Sequence, residues 1–359
     1  SSIRQSVVRS SRPSALPNRW QRPRWPVSGV PEADPTAAKQ RRAVTIALAP
    51  GLIAFSMGQT VLFAVAGPVI RDIGLSEVQL GLIVSAAAVM FVIASPVWGR
   101  ISDHWGRKPV IVFGLFTSAV ISFAFALVMD LGLSGMLGAF AVFFSLLGLR
   151  LLYAALGSGI QPSSVALMAD LSDDADRSSA VAIVGAAFGF GMIFGPAAAA
   201  LLVGWGVLAP LYAIAGFGLL TALWALLFLK PDTARIEPPE GKAEQIPLRP
   251  LLPIMFASLC IFTAISALQQ TMAFYVQDFL QVGAEDAARA TGICFIAMAV
   301  LTLTSQAGLI LVFKPSPGLL LRVGLPIMLA GILLYAFPAS FFHLIIAAAV
   351  LGLGFRVDR

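Results

Sequence analysis

Gly99-Arg-Ile-Ser-Asp103-His-Trp-Gly106-Arg107-Lys108 stands between two apolar blocks, 80–98 and 109–129. Each block is about as long as a helix must be to cross ~30 Å of hydrocarbon. Arg100, Asp103, Arg107 and Lys108 are too costly to hold in hydrocarbon, so this charged, glycine-punctuated turn marks a membrane surface. So short a connection serves two helices packed side by side. Gly99 is expected to let a neighbouring backbone approach closely, and Gly106 to supply a conformation that residues with a side chain resist. Asp103 can sit against a helix N-terminus, while Arg107 and Lys108 can anchor at lipid head groups or pair with acids.

The rest of the chain agrees with a membrane reading. It is 58% hydrophobic and 12% charged, with a mean hydropathy of +0.89; soluble domains carry about 25% charged residues. A backbone that must satisfy its hydrogen bonds in lipid forms helices or a closed barrel, and the alternating pattern of a barrel is missing. The net charge of +6 is not a nucleic-acid footprint, because the first 43 residues hold nine Lys/Arg against Glu32 and Asp34. That Arg-, Pro- and Ser-rich tail reads as disordered, cytoplasmic and able to touch anionic lipid. An organelle presequence is the other reading, since residues 1–31 contain no acid. Cys260 and Cys294 fall in apolar blocks and read as small buried hydrophobes. Nucleophile, zinc and P-loop signatures are missing from the sequence, so no enzyme, metal or cofactor is expected.

Apolar blocks place ten spans at 44–70, 80–98, 109–129, 137–160, 180–203, 210–229, 251–277, 290–313, 319–338 and 341–355. Counting the tail, nineteen Lys/Arg lie on one side of these spans and only Arg71 and Arg289 on the other. The positive-inside rule puts the N-terminus and the even-to-odd loops in the cytoplasm. Residues 230–249 are proline-rich with mixed charge and read as a linker between two bundles. A weak internal echo, GRKPVIVFG against LLLRVGLPIML, suggests a duplicated design with a substrate path between the halves. Six spans precede the linker and four follow, and Val350-Leu-Gly-Leu-Gly-Phe355 gives way at once to Arg356-Val-Asp-Arg359. Two more helices would complete a second six-helix bundle, so a truncated C-terminus is inferred.

Arg150 is the only ionisable residue deep in an apolar span of the first bundle, and should face a cavity or a polar partner. Gly191 and Gly195 form a small-xxx-small face suited to close helix packing, and Pro196 bends the same helix. All 18 acids fall in loops, the tail or helix ends. Gln59 in the first span is neutral and cannot cycle a proton alone. Coupling to protons would therefore need Asp278, Asp130, Asp103 or water near Arg150. In the seventh span Gln270 and Phe274 share one helical face, as do Thr271 and Tyr275. Amides and aromatics facing a cavity suit an amphiphilic or aromatic small molecule, and Gln59, Gln161, Gln270 and Tyr275 are the candidate substrate contacts.

Three motifs carry a family resemblance. Gly99 to Lys108 resembles the helix 2–3 loop of the major facilitator superfamily, G-x-L-a-D-r-x-G-r-k, with Ile101 for Leu and His104 for Arg. Arg150-Leu-Leu-Tyr153-Ala154-Ala-Leu-Gly157-Ser158-Gly159-Ile-Gln161-Pro162 resembles the family's helix 4 motif, with Ala154 for a usual Gly. Gly185-Ala-Ala-Phe-Gly189-Phe-Gly191-Met-Ile-Phe-Gly195-Pro196 resembles the antiporter motif of its drug:proton exporters, with Ala199 and Ala200 where two glycines are usual. The resemblance implies that the loop formed by Gly99, Asp103, Gly106, Arg107 and Lys108 governs the switch between outward- and inward-facing states. It also implies that Asp103 latches against an eleventh helix and that Arg150 is tied to proton coupling.

The expected fold is an all-α membrane protein: a basic tail (1–43), a six-helix bundle (44–229), a cytoplasmic linker (230–249) and a partial second bundle (250–359). The expected function is secondary active transport by alternating access, exporting small amphiphilic molecules or drugs in exchange for protons. A monomer in the bacterial inner membrane, partnered by substrate, protons and lipid but not nucleic acid, follows. The alternatives are a metabolite or sugar-type permease or uniporter, and a non-transporting fragment.

Overall fold

The computed structural model describes residues 35–172, 177–229, 252–308 and 317–354. The tail before residue 35 and the linker at 230–249 lie outside the described residues. The helices are α1 (Pro35–Asp72), α2 (Glu77–Trp105), α3 (Arg107–Leu133), α4 (Ala139–Gly157), α5 (Ile160–Asp170), α6 (Arg177–Leu202), α7 (Ala209–Phe228), α8 (Leu252–Leu280), α9 (Ala284–Gly308), α10 (Pro317–Ala336) and α11 (Phe341–Gly354). Among the described residues six segments are long and apolar enough to cross a membrane: Lys39–Asp72, Glu77–Trp105, Arg107–Leu133, Ala139–Asp170, Ser179–Trp205 and Ala209–Phe228.

Several boundaries differ from expectation for local reasons. α1 begins at Pro35, so residues 35–43 are helical rather than part of a disordered tail. A proline is pre-organised for the first helical position, and Ala37-Ala-Lys-Gln-Arg-Arg42 are strong helix formers. α2 is closed at its start by a reciprocal cap in which Ser76 Oγ accepts from the Gln79 amide and Gln79 Oε1 accepts from the Ser76 amide. It runs to Trp105 rather than 98, because nothing after Gly99 interrupts it until Gly106. The expected turn is therefore one residue: Gly106, at φ 96° and ψ 156°, ends α2 and leads into α3. The span expected at 137–160 continues to Asp170 with a break at Ser158-Gly159. That break is a packing site, since a Cβ on Gly159 would lie 2.8 Å from Trp98 Cβ and 2.9 Å from Val110 Cγ1.

α1 runs through the centre, packed by α3, α6 and α7 of the first half and by α8 and α9 of the second. α2 lies outside, with Val78, Val89, Val92 and Ile93 exposed, as a lipid-facing helix requires. In the second half α11 packs between α9 and α10. A Cβ on Gly331 would meet the Leu351 amide at 2.9 Å, and Thr302 Oγ1 donates to the Gly352 carbonyl at 3.0 Å. Cys294 is buried as expected, but Cys260 is exposed on α8, because it falls on the outward side of that helix.

The buried core divides by depth. Near the start of α1, Val44, Leu48, Leu52 and Phe55 belong to a cluster whose described members all come from the first half. Near its end, Val61, Val65 and Val69 share one cluster with Met272 and Val276 of α8, Cys294 and Phe295 of α9, and Leu344 of α11. The two halves are thus joined through the end at which α1 finishes.

Candidate functional site

Arg150 sits in the middle of α4 and is buried. Its Nη2 donates to Gln59 Oε1 on α1 at 2.9 Å, and its guanidinium carbon lies 5.0 Å from the centre of the Tyr153 ring. Its Nε has no hydrogen-bond partner. Tyr153 is held by its own hydroxyl, which donates to the Phe55 carbonyl at 3.2 Å, and by stacking on the Phe55 ring. A small cleft opens beside the guanidinium, lined by Val61, Leu62, Phe125 and Leu211 with Ser122. A small adjoining space shares Gly58, Ser122, Tyr153 and Ile214 with it and is also lined by Ser118, whose buried hydroxyl has no partner among the described residues. This is a mostly apolar chamber with one cation and a few hydroxyls, the composition of a small-molecule site.

Among the described residues no carboxylate joins it. Asp72, Glu77, Asp103, Asp130, Asp170, Asp278, Glu285 and Asp286 are all exposed. The three acids considered for coupling are therefore away from Arg150: Asp103 pairs with Arg107, Asp278 with Arg71, and Asp130 sits exposed near the end of α3.

The four candidate substrate contacts separate. Gln59 is brought to Arg150. Gln161 is exposed at the start of α5, outside the cleft lining. Gln270 donates to Ser266 one turn back on α8, and Tyr275 packs its ring 4.8 Å from that of Tyr335 on α10. Neither lines the Arg150 cleft. Thr271 is exposed and bonds back to the Ala267 carbonyl, so the face it was expected to share with Tyr275 is not a common lining.

The glycine face of α6 lies against α1. A Cβ on Gly191 would stand 2.4 Å from the Ile53 carbonyl oxygen, and one on Gly195 would stand 2.2 Å from Thr60 Oγ1. Ser56 Oγ donates to the Phe188 carbonyl at 2.7 Å across the same seam. Pro196 is inside α6, and beyond it Gly292 of α9 fits where a Cβ would meet the Pro196 oxygen at 2.8 Å and Ala200 Cβ at 2.7 Å. The seam therefore continues from the first half into the second.

At the start of the bundle Arg107 joins three helices. It donates to Ser102 Oγ at 2.8 Å, pairs with Asp103 on α2, and reaches Asp170 at the end of α5 at 3.4 Å. Lys108 follows it in the first turn of α3. Gly99 has nothing within 4 Å of a Cβ, so the expected close approach does not occur there. It falls on a face of α2 that no neighbour covers.

At the opposite end Arg71, in the last turn of α1, bonds Glu77 on α2 at 2.8 Å and Asp278 on α8 at 3.0 Å. Its guanidinium carbon lies 4.9 Å from the centre of the Phe274 ring. A Cβ on Gly67 would meet Ala273 Cβ at 3.0 Å one turn deeper. Sequence reasoning missed this junction; its only signal was that Arg71 is one of two cations on the sparsely charged side.

Comparison with known proteins accords with this geometry. The family model described as Major Facilitator Superfamily matches residues 48–357. The chain is 28% identical over 191 residues to multidrug resistance protein 2 of Bacillus subtilis, covering 53% of this chain and 45% of that one. It is 23% identical over 223 residues to the quinolone resistance protein NorA of Staphylococcus aureus, covering 60% and 54%. The chain thus spans about half the length of the curated relatives it matches. Among solved structures, a bacterial homolog to the human lysosomal transporter Spinster, inward-facing and occupied, superposes with a TM-score of 0.62 at 18% identity, over 91% of this chain and 74% of that one.

Proposed function

From the fact that the chain belongs to the Major Facilitator Superfamily, we propose that it is a secondary active transporter working by alternating access. It exports small amphiphilic molecules in exchange for protons, as a monomer in the bacterial inner membrane with its N-terminus in the cytoplasm. The observation that carries the reading is the depth-dependent core: α1 packs with α8 and α9 toward the Arg71 end, whereas at the other end the core among the described residues is built by the first half. Two bundles joined at one end are arranged to rock against each other.

Within that scheme the Gly99–Lys108 stretch is the switch, with Arg107 holding the ends of α2 and α5 together. The α1–α6 seam through Gly191 and Gly195 resists sliding and favours export through resemblance to the antiporter motif. Arg150 takes the coupling role. A guanidinium does not release a proton in this pH range, so it acts by holding charge or water in the cleft. The export direction also draws on the two relatives, whose names describe drug resistance.

The test is uptake of amphiphilic dyes and drugs into inverted vesicles carrying the full chain under an imposed proton gradient. Gradient-dependent uptake that falls in Arg150→Ala is expected; uptake that ignores the substitution would remove Arg150 from coupling. A permease or uniporter is the second reading, favoured by the exposure of every described carboxylate. It requires that collapsing the gradient leave the uptake rate unchanged.

A further inference from the structure

Among the described residues the charge at Arg150 has no counter-charge, and that points to a ligand. The residue is buried, its one hydrogen-bond acceptor is the neutral Gln59 side chain, and its Nε is unsatisfied. No ion pair to Arg150 occurs among the described residues. A buried guanidinium left in this way costs several kcal/mol, which a protein keeps when something else supplies the anion. The adjoining space contains a second unsatisfied polar group, the Ser118 hydroxyl, and the shared lining is otherwise mostly apolar, with Ser122 and the rings of Phe55, Phe125 and Tyr153. A cation would meet like charge with no carboxylate to offset it. A neutral molecule would leave the guanidinium as it is.

We propose that the cleft beside Arg150 binds an amphiphilic monoanion, with its carboxylate or sulfonate on the guanidinium and its apolar body against Val61, Leu62, Phe125 and Leu211. This deepens the transport reading, since it rests on the cleft being part of the substrate path. A planar anion can take two parallel N–H bonds from an arginine, a geometry a lysine cannot offer. The unpartnered Nε lies on the guanidinium edge such a bidentate contact would use. The free space in the cleft is small, so an apolar body is seated only as the helices that line it part.

The test is binding, measured by equilibrium dialysis on the full chain in an uncharged detergent, with three ligands sharing one body: 2-naphthylacetate, 2-naphthylacetamide and 2-naphthylethylammonium. The acetate is expected to bind at least about tenfold tighter than the other two, the scale of one charge-assisted contact. Arg150→Gln should remove that preference while keeping affinity for the amide, and Arg150→Lys should restore part of it. Equal affinities, failure of all three to bind, preference for the ammonium, or a preference that survives Arg150→Gln would each overturn the proposal. If Arg150→Gln does not fold, the ligand series on the unmodified chain still decides. Gradient-driven uptake is measured separately, so a chain that prefers the acetate without gradient-dependent transport would overturn the transport reading alone.

Discussion

Arg71 on α1 and Asp278 on α8 are 207 residues apart in sequence, yet their side chains meet with Nη2 3.0 Å from Oδ2. The same guanidinium reaches Glu77 on α2 and lies over Phe274, so one cation ties the last turn of α1 to both its own half and the other. The pair caps the end at which the two halves share a core, above the Gly67–Ala273 contact.

This pair should bias the closed state without dominating it. The Arg71 side chain is 28% exposed and that of Asp278 61%, so solvent screening holds its worth to roughly 0.2–1 kcal/mol. Buried Cys294, in the shared core, is a natural reporter of opening. With Cys260 replaced by Ser, Asp278→Ala should speed thiol labelling of Cys294 by up to about fivefold, and molar salt should shrink the difference. An unchanged labelling rate would show that the ion pair does not hold this end shut.

Substitutions along α6 should split by the space each glycine faces. Gly191→Ala and Gly195→Ala place a methyl 2.4 Å from the Ile53 oxygen and 2.2 Å from Thr60 Oγ1. Both demand that α6 move off α1, at an overpacking cost of about 1–3 kcal/mol. Gly189, with nothing within 4 Å, and Gly99, equally open, should accept Ala with no loss. Thermal melting in detergent would rank the four; a stable Gly195→Ala protein would contradict the close seam.

These cases show what could be read from the chain. Gly106 was legible because its φ of 96° is a backbone state that only glycine enters cheaply, a local property. Gly99 misled because close approach depends on which face a helix turns toward a neighbour, and the sequence does not state that. Arg150 and Gln59 each stood out as polar residues in apolar spans, but their hydrogen bond joins α4 to α1. Gln161, in the Arg150–Pro162 motif, and Thr271, spaced to share a face with Tyr275, are exposed, because spacing does not tell which face a neighbour covers. The Arg71–Asp278 junction depends on how two halves meet across an intervening linker, for which spacing offers no guide. The six spans of the first half were found because hydrocarbon thickness sets their length. Their ends shifted where a charged but uninterrupted stretch, such as Arg100–Trp105, continued the helix past the apolar block.

Arg107 should couple to Asp170 measurably but modestly. Their side chains are 17% and 24% exposed and 3.4 Å apart, with Asp103 and Ser102 sharing the guanidinium. A double-mutant cycle with Arg107→Ala and Asp170→Ala should give a coupling of about 0.5–1 kcal/mol from melting. Gly106→Ala, one residue earlier, should cost more, about 1–3 kcal/mol, because its backbone lies in a region that L side chains rarely enter. A larger effect for the ion pair than for the glycine would reverse this ordering.

Gln59 should be the position that sets whether Arg150 is compensated. Gln59→Leu removes the acceptor 2.9 Å from Nη2 and leaves the guanidinium with neither anion nor amide, at a cost of about 1–3 kcal/mol. Gln59→Glu puts a carboxylate in nearly the same volume and supplies the missing charge from within. Melting temperatures should therefore rank Glu at or above Gln, with Leu lowest. The carboxylate should also occupy the guanidinium edge offered to an external anion, lowering the affinity for 2-naphthylacetate by at least about tenfold. Melting of Gln59→Leu at or above the unmodified chain would show that Arg150 does not depend on Gln59. A Gln59→Glu chain that still prefers the acetate would show that the anion binds away from this guanidinium.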